Sequence, residues 1–335
     1  MPERPARRGG GAHRSGAEPA PDGRAHAPAW DRRVLPVRDR ARRPRGRRAD
    51  HALRGRPGLH NAGSRLTASP GRLLVGTSGF AYPDWTPRFY PAGTRATDRL
   101  ASYATRLPAL ELNATFRRRP TPSAIRGWVR ATPPDFRFAV KAQRGSAVRA
   151  LWGSPEESVR WLTEPLPEFG ERLGAVLFRV PAEIRRDGPW VGGDVAVADA
   201  RLAALLVAWP REIPLVVELQ DLSWHVDETF ASLRAAGATL CTTELPPEGD
   251  EGAEAGSGDG EPGTEREPPT IRRTGSFLYL RLRRHDYDAT ALDAWASRIE
   301  PFLSSGDDVY VFFRHDPVGR AGELALELRA RFPGS

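Results

Sequence analysis

From residue 73 onward, short apolar runs alternate with longer amphipathic stretches. Eight runs predict strands: Leu73–Phe80, Ala109–Phe116, Phe136–Ala142, Gly174–Pro181, Pro214–Asp221, Ala238–Thr243, Phe277–Arg283 and Asp308–Asp316. Most are nearly continuously apolar and rich in Val, Leu and Phe, the pattern of parallel strands covered on both faces. Between them lie segments with helical spacing. Thr97–Leu107 sets Leu100, Tyr103, Ala104 and Leu107 on one face. Pro122–Ala131 opens on a proline, a residue suited to a first helical turn. Ser154–Phe169 starts with Ser154 as N-cap, then Pro155 and Glu157. Asp199–Trp209, Val226–Ala236, Ala289–Leu303 and Gly319–Phe332 complete the set. Strand followed by helix, repeated over about 265 residues, has the order and size of an α/β (β/α)8 TIM-like barrel with parallel strands. A doubly wound open sheet is the alternative, but its first strand would more often lead into a Gly-rich phosphate loop.

Two stretches break the rhythm. Residues 245–276 hold acidic residues with Gly, Pro and Ser and no helical spacing, so they read as a flexible acidic insertion between the sixth and seventh strands. The sixth strand is left without an obvious helix. In a barrel this insertion emerges on the face that bears active sites, either as a lid or as a solvated acidic loop. Residues 1–70 carry 17 Arg, no Lys and 6 acidic residues, a formal +11, whereas residues 71–335 sum to −3. The tail lacks the aliphatic content needed to offset its ordering entropy and is expected to be disordered, with one barrel domain over 71–335. It reads as a solvated extension or an over-extended start, as a basic arm that binds nucleic acid, or as an Arg-rich transit peptide. The body, near neutral, gives no electrostatic reason to expect a nucleic-acid partner. No apolar run suits a signal peptide or a membrane span, and the default compartment is the cytoplasm.

One cysteine, Cys241, excludes an internal disulfide and a Cys-rich metal cluster; in the run Ala-Thr-Leu-Cys it reads as a small core residue. Of the 50 basic residues, 49 are Arg and only Lys141 is Lys. An ammonium can deprotonate when buried and a guanidinium cannot, so Lys141 stands out.

Barrel enzymes place reacting groups where strands end. The polar residues there are Ser78, Glu111, Asn113, Lys141, Arg179, Glu218, Gln220, Thr242, Thr243, Arg281, Arg283, Arg314, His315 and Asp316. Strand periodicity puts Glu111, Asn113 and Thr115 on one face, and likewise Glu218 and Gln220. A carboxylate inside an apolar strand is costly unless it is paired or has a task. Glu111, Glu218 and Lys141 are therefore the candidate catalytic residues. Ser78, Asn113, Arg179, Trp224, Arg281, Arg314 and His315 are the candidate substrate-binding residues. The two glutamates read equally as structural partners of Arg281 or Arg179. Lys141 reads as a salt-bridge partner, an anion-binding charge or a Schiff-base nucleophile. His315 with Asp316 resembles a metal or proton-transfer pair only if the strand has already ended. Trp85, Phe89, Tyr90 and Trp224 either form a stacking wall or seal loops to the rim. No motif implies a cofactor, and neither a metal spacing nor a phosphate loop is present.

Several blocks together resemble one family. They are Gly-Thr-Ser-Gly-Phe-Ala-Tyr-Pro-Asp-Trp (76–85) with Phe89-Tyr90-Pro91; Glu111-Leu-Asn-Ala-Thr-Phe; Trp128; and Pro134-Asp-Phe-Arg-Phe-Ala-Val-Lys141. Glu218 with Ser223-Trp224, Arg281 with Tyr287, and Val309-Tyr-Val-Phe-Phe-Arg-His-Asp with Gly319-Arg-Ala follow in order. Over about 73–332 the chain resembles the YecE-like family, domain of unknown function 72. The resemblance implies a TIM barrel and no established activity, substrate or cofactor. The chain departs from the family pattern at Arg117, where a Tyr is common, at Arg179 (often Gln) and at Gln220 (often Arg). Gln143-Arg144-Gly145-Ser146 replaces a usual Thr-His pair, so any chemistry that relatives perform with that histidine is altered or lost here.

Three functions follow as expectations. The first is an enzyme acting on a small phosphorylated or carboxylated metabolite, with Lys141, Arg281 and Arg179 holding the anion and Glu111 and Glu218 exchanging protons. Asn113 would orient the substrate. The second is a non-catalytic binding or scaffolding barrel whose basic tail contacts nucleic acid. The third is a metal-dependent hydrolase or isomerase using Glu111, Glu218 and His315.

Overall fold

The computed structural model describes residues 69–244 and 268–333. The Arg-rich tail, and most of the acidic insertion with its lid reading, lie outside the described residues. Eight strands close a barrel in sequence order, each parallel to its neighbours: β1 (Leu73–Ser78), β2 (Ala109–Leu112), β3 (Arg137–Lys141), β4 (Leu173–Val180), β5 (Leu215–Leu219), β6 (Thr239–Glu244), β7 (Leu278–Leu282) and β8 (Val309–Phe313). Helices α1 (Arg99–Ala104), α2 (Ala114–Arg117), α3 (Pro122–Arg130), α4 (Arg144–Trp152), α5 (Pro155–Thr163), α6 (Val195–Ala208), α7 (Asp227–Ala236), α8 (Ala289–Ser304) and α9 (Arg320–Arg329) fill the connections. No described helix is long and apolar enough to cross a membrane.

The period of two along each strand sorts the apolar residues into two layers. Leu74, Ala109, Ala139, Ala175, Leu177, Val216, Cys241, Tyr279, Tyr310 and Phe312 point inward and fill the barrel. Their alternates, such as Val75, Leu110, Phe138, Phe178 and Val217, pack outward beneath the helices. The three alanines leave the volume taken by Tyr279 and Tyr310, whose rings stack at 6.0 Å. Cys241 is a buried core thiol, as its apolar neighbours indicate.

Several boundaries differ from the sequence expectation. The second strand ends at Leu112, because Asn113 turns into α2, where the backbone of Phe116 donates to the Asn113 carbonyl at 3.1 Å. Thr115 therefore leaves the strand face; its hydroxyl donates to the Leu112 carbonyl at 2.8 Å. The segment expected as one helix over Ser154–Phe169 breaks after α5 into a 3-10 stretch, Leu166–Arg172. Pro165 and Pro167 each remove a backbone donor there. Helix α4 escaped the pattern because it is short and weakly amphipathic; the Gln143 side chain caps it by accepting from the Ser146 amide at 2.8 Å. The end of the acidic insertion, 268–276, is packed against the barrel. Thr274 accepts from the Leu240 amide and donates to the Ala238 carbonyl, and Arg273 pairs with Asp307 at 2.6 Å.

Candidate active site

The inward-facing side chains at the C-terminal ends of the strands are polar, and the barrel register sets them side by side. Ser78 pairs in register with Glu111, Arg179 with Glu218, and Thr243 with Arg281. Arg281 from β7 lies between the two carboxylates. Its Nη1 donates to both oxygens of Glu218 at 2.7 and 2.9 Å. Its Nε lies 3.2 Å from Glu111 Oε2, and its Nη2 donates to Glu111 Oε1 at 3.3 Å. Glu111 also accepts from Ser78 Oγ at 2.5 Å and Tyr279 Oη at 2.7 Å, with the Lys141 ammonium 3.2 Å away. Glu218 accepts from Thr243 at 2.9 Å and faces Arg179 Nε at 2.7 Å.

Both carboxylates are fully buried, and burial alone would raise them. For Glu111 that penalty is overturned by Arg281, then Lys141, then the Ser78 and Tyr279 hydroxyls, and its carboxyl is held at about 2. For Glu218 it is overturned by Arg281, Arg179 and Arg283, which hold it far below the usual range. Burial, then the neighbouring Glu111 charge, keeps the Tyr279 phenol protonated well above its ordinary range, as a donor. Two ionised carboxylates saturated by donors are poor proton carriers at neutral pH. The proton-exchange role expected for Glu111 and Glu218 is disfavoured on this ground, and their structural pairing with Arg281 and Arg179 is what the geometry displays.

Above this layer opens a cavity of about 350 Å³. Ser78, Asn113, Lys141, Arg281, Arg314 and His315, all expected at the site, line it. So do Tyr82, Phe116, Arg117 and Arg283, of which the first three lay outside the expected set. Tyr82 stacks on His315 at 5.2 Å with planes 5° apart. Its loop is turned by Gly79, at φ +90, where a Cβ would lie 2.4 Å from the Tyr82 hydroxyl. Arg117 reaches the rim because α2 replaces the end of the expected strand. The one signal for it in the sequence is its place at a departure from the family pattern.

Two expected ligand-binding residues are elsewhere. Arg179 pairs with Glu218, with its guanidinium 5.1 Å from the centre of the Phe116 ring, and does not line the cavity. Trp224 is fully buried; its indole donates to the Ile184 carbonyl at 2.6 Å and seals the loop after β5. Trp85 does the same at the first loop, donating to the Asp316 carbonyl at 2.8 Å. Asp316 lies beyond the end of β8. Its carboxylate accepts from the amides of Val318, Arg320 and Ala321, capping α9. Among the described residues no cluster of three or more His, Cys, Asp or Glu is placed to hold a metal, so Glu111, Glu218 and His315 form no metal site.

The class of protein is thus a closed (β/α)8 barrel with a buried ion-pair layer and a cationic mouth at the strand C-termini. Its sequence matches the family described as Protein of unknown function DUF72 over residues 74–334, and the chain belongs to that family. The UPF0759 protein YunF of Bacillus subtilis (strain 168) is 23% identical over 292 residues, covering 76% of this chain and 94% of that protein. A crystal structure of a DUF72 family protein from Thermotoga maritima MSB8 is 26% identical, with TM-score 0.61, covering 77% of this chain and 98% of that one. One from Enterococcus faecalis V583 shares the fold at 17% identity and TM-score 0.58, over 80% of this chain and 100% of that one.

Proposed function

We propose that the barrel mouth binds a small anionic metabolite, phosphorylated or carboxylated, and that any turnover takes place on that bound anion. The observation that carries this reading is the lining of the cavity. Lys141, Arg117, Arg281, Arg283 and Arg314 contribute to it, and no carboxylate does among the described residues. Such a concave, cation-rich surface concentrates small anions and holds them with charge-assisted hydrogen bonds. Glu111 and Glu218 belong to the site as fixed counter-charges that hold Lys141 and Arg281 in position. Arg281, engaged by both carboxylates, orders the layer, while Arg283, two residues further along, meets the ligand. Proton transfer would fall to His315 or Lys141, which line the cavity. The single free thiol fits a reducing compartment such as the cytoplasm.

Native mass spectrometry of the gently purified full chain tests the reading. A co-purifying anionic small molecule, lost in Arg283→Gln, is the expected result. A wild-type protein that carries none, and that no phosphate or carboxylate compound stabilises against heat, would refute it.

A further inference from the structure

Two residues that line the cavity, Ser78 and Asn113, carry hydrogen-bond acceptors in place of cations. The Ser78 hydroxyl donates its proton to Glu111 at 2.5 Å. Glu111 is ionised and has no proton to return, so the Ser78 oxygen can only accept from a ligand. Beside it, Asn113 Nδ2 donates to the Ser78 carbonyl at 2.8 Å, which fixes the amide; the flipped form would set two oxygens against each other. Asn113 Oδ1 is thereby left as a buried acceptor with no hydrogen-bond partner. A buried amide oxygen without a donor is costly, and a ligand that brings one removes the cost. Ser78 Oγ and the Lys141 ammonium contact the same oxygen, Glu111 Oε1, at 2.5 and 3.2 Å. The acceptors and the first cation are therefore neighbours.

We infer that the ligand is a hydroxylated anion, with its phosphate or carboxylate on the cations and a hydroxyl donating to Asn113 Oδ1 and Ser78 Oγ. An ammonium donor is disfavoured by the positive charge around it. The inference rests on the anion reading and adds the second functional group.

Titration calorimetry of the full chain against two matched pairs tests it: glycerol 3-phosphate with propyl phosphate, and glycolate with acetate. The pair that binds identifies the charged end. Within that pair the hydroxylated member should bind about tenfold more tightly. Asn113→Ala should bring the two members to near-equal affinity. Ser78→Ala gives the same reading if Asn113→Ala fails to fold. Equal affinities within a pair for the wild type, or a preference kept in both variants, would overturn the hydroxyl inference and leave the anion reading standing. Failure of all four probes and of inorganic phosphate would overturn both.

Discussion

Replacing Glu111 by Gln keeps the shape of the side chain and removes its charge, which isolates the electrostatics of the buried layer. In the wild type the carboxylate faces Arg281 and Lys141 and accepts from Ser78 and Tyr279, all in the barrel interior. The variant removes the Glu111 counter-charge from Lys141 and Arg281 in a buried setting. Breaking such a pair typically costs about 3–5 kcal/mol. The pH dependence gives a second handle. A carboxyl held at about 2 instead of 4.5 stabilises the fold by on the order of 3 kcal/mol above its ordinary range. That contribution is present above about 4.5 and is lost as the pH falls toward 2, because the unfolded chain takes up the proton first. Glu218, displaced in the same direction, adds to the acid loss. Urea unfolding followed by far-UV circular dichroism should give a wild-type-minus-variant difference of about 3–5 kcal/mol at pH 7 that narrows steadily between pH 5 and 2. Adding Lys141→Met should recover part of the loss, since the ammonium that Glu111 had neutralised is then gone. A difference below about 1 kcal/mol at pH 7, or one that does not change with pH, would refute the reasoning.

Three further outcomes follow from the local geometry. Asp316→Ala removes the acceptor for three amides at the start of α9 and should lower stability by about 1–2 kcal/mol, measured by thermal or urea unfolding. Gly79→Ala introduces a side chain at φ +90 against the Tyr82 hydroxyl and should cost about 1–3 kcal/mol by the same assay; a neutral effect would mean that the loop relaxes freely. Burial, then the Glu218 charge, pushes the Cys241 thiol far above its ordinary range, so a maleimide should label it only as the protein unfolds in urea. Rapid labelling of the native protein would contradict that placement.

The barrel was legible in the sequence because parallel strands buried on both faces announce themselves as apolar runs, whatever the helices between them do. The convergence of Glu111, Lys141, Glu218 and Arg281 was legible for a related reason: a charged residue inside such a run, at the inward parity, has only the barrel interior to enter. What the parity rule could not supply was the point where a strand stops. Extending the second strand to Phe116 put Thr115 on the site face and hid α2, which brings Arg117 to the rim. Asn113 reaches the cavity from the start of that turn and not as a strand residue. Trp224 was open in the sequence for a different reason: an aromatic after a strand has the same sequence context whether it stacks on a ligand or plugs a loop. The role of the glutamates was open in the sequence because it depends on how many donors surround each one. Five groups around Glu111 and Glu218 come from different strands: Ser78, Lys141, Arg179, Thr243 and Tyr279. Only the closed register brings them together around Arg281.

A cationic mouth that takes a small anion is tested most directly by the thermal unfolding of the full chain with increasing inorganic phosphate at constant ionic strength. The wild type should be stabilised in a saturable way, and Arg283→Gln should lose most of that gain while unfolding normally without phosphate. No stabilisation of the wild type, or the same stabilisation in the variant, would contradict it.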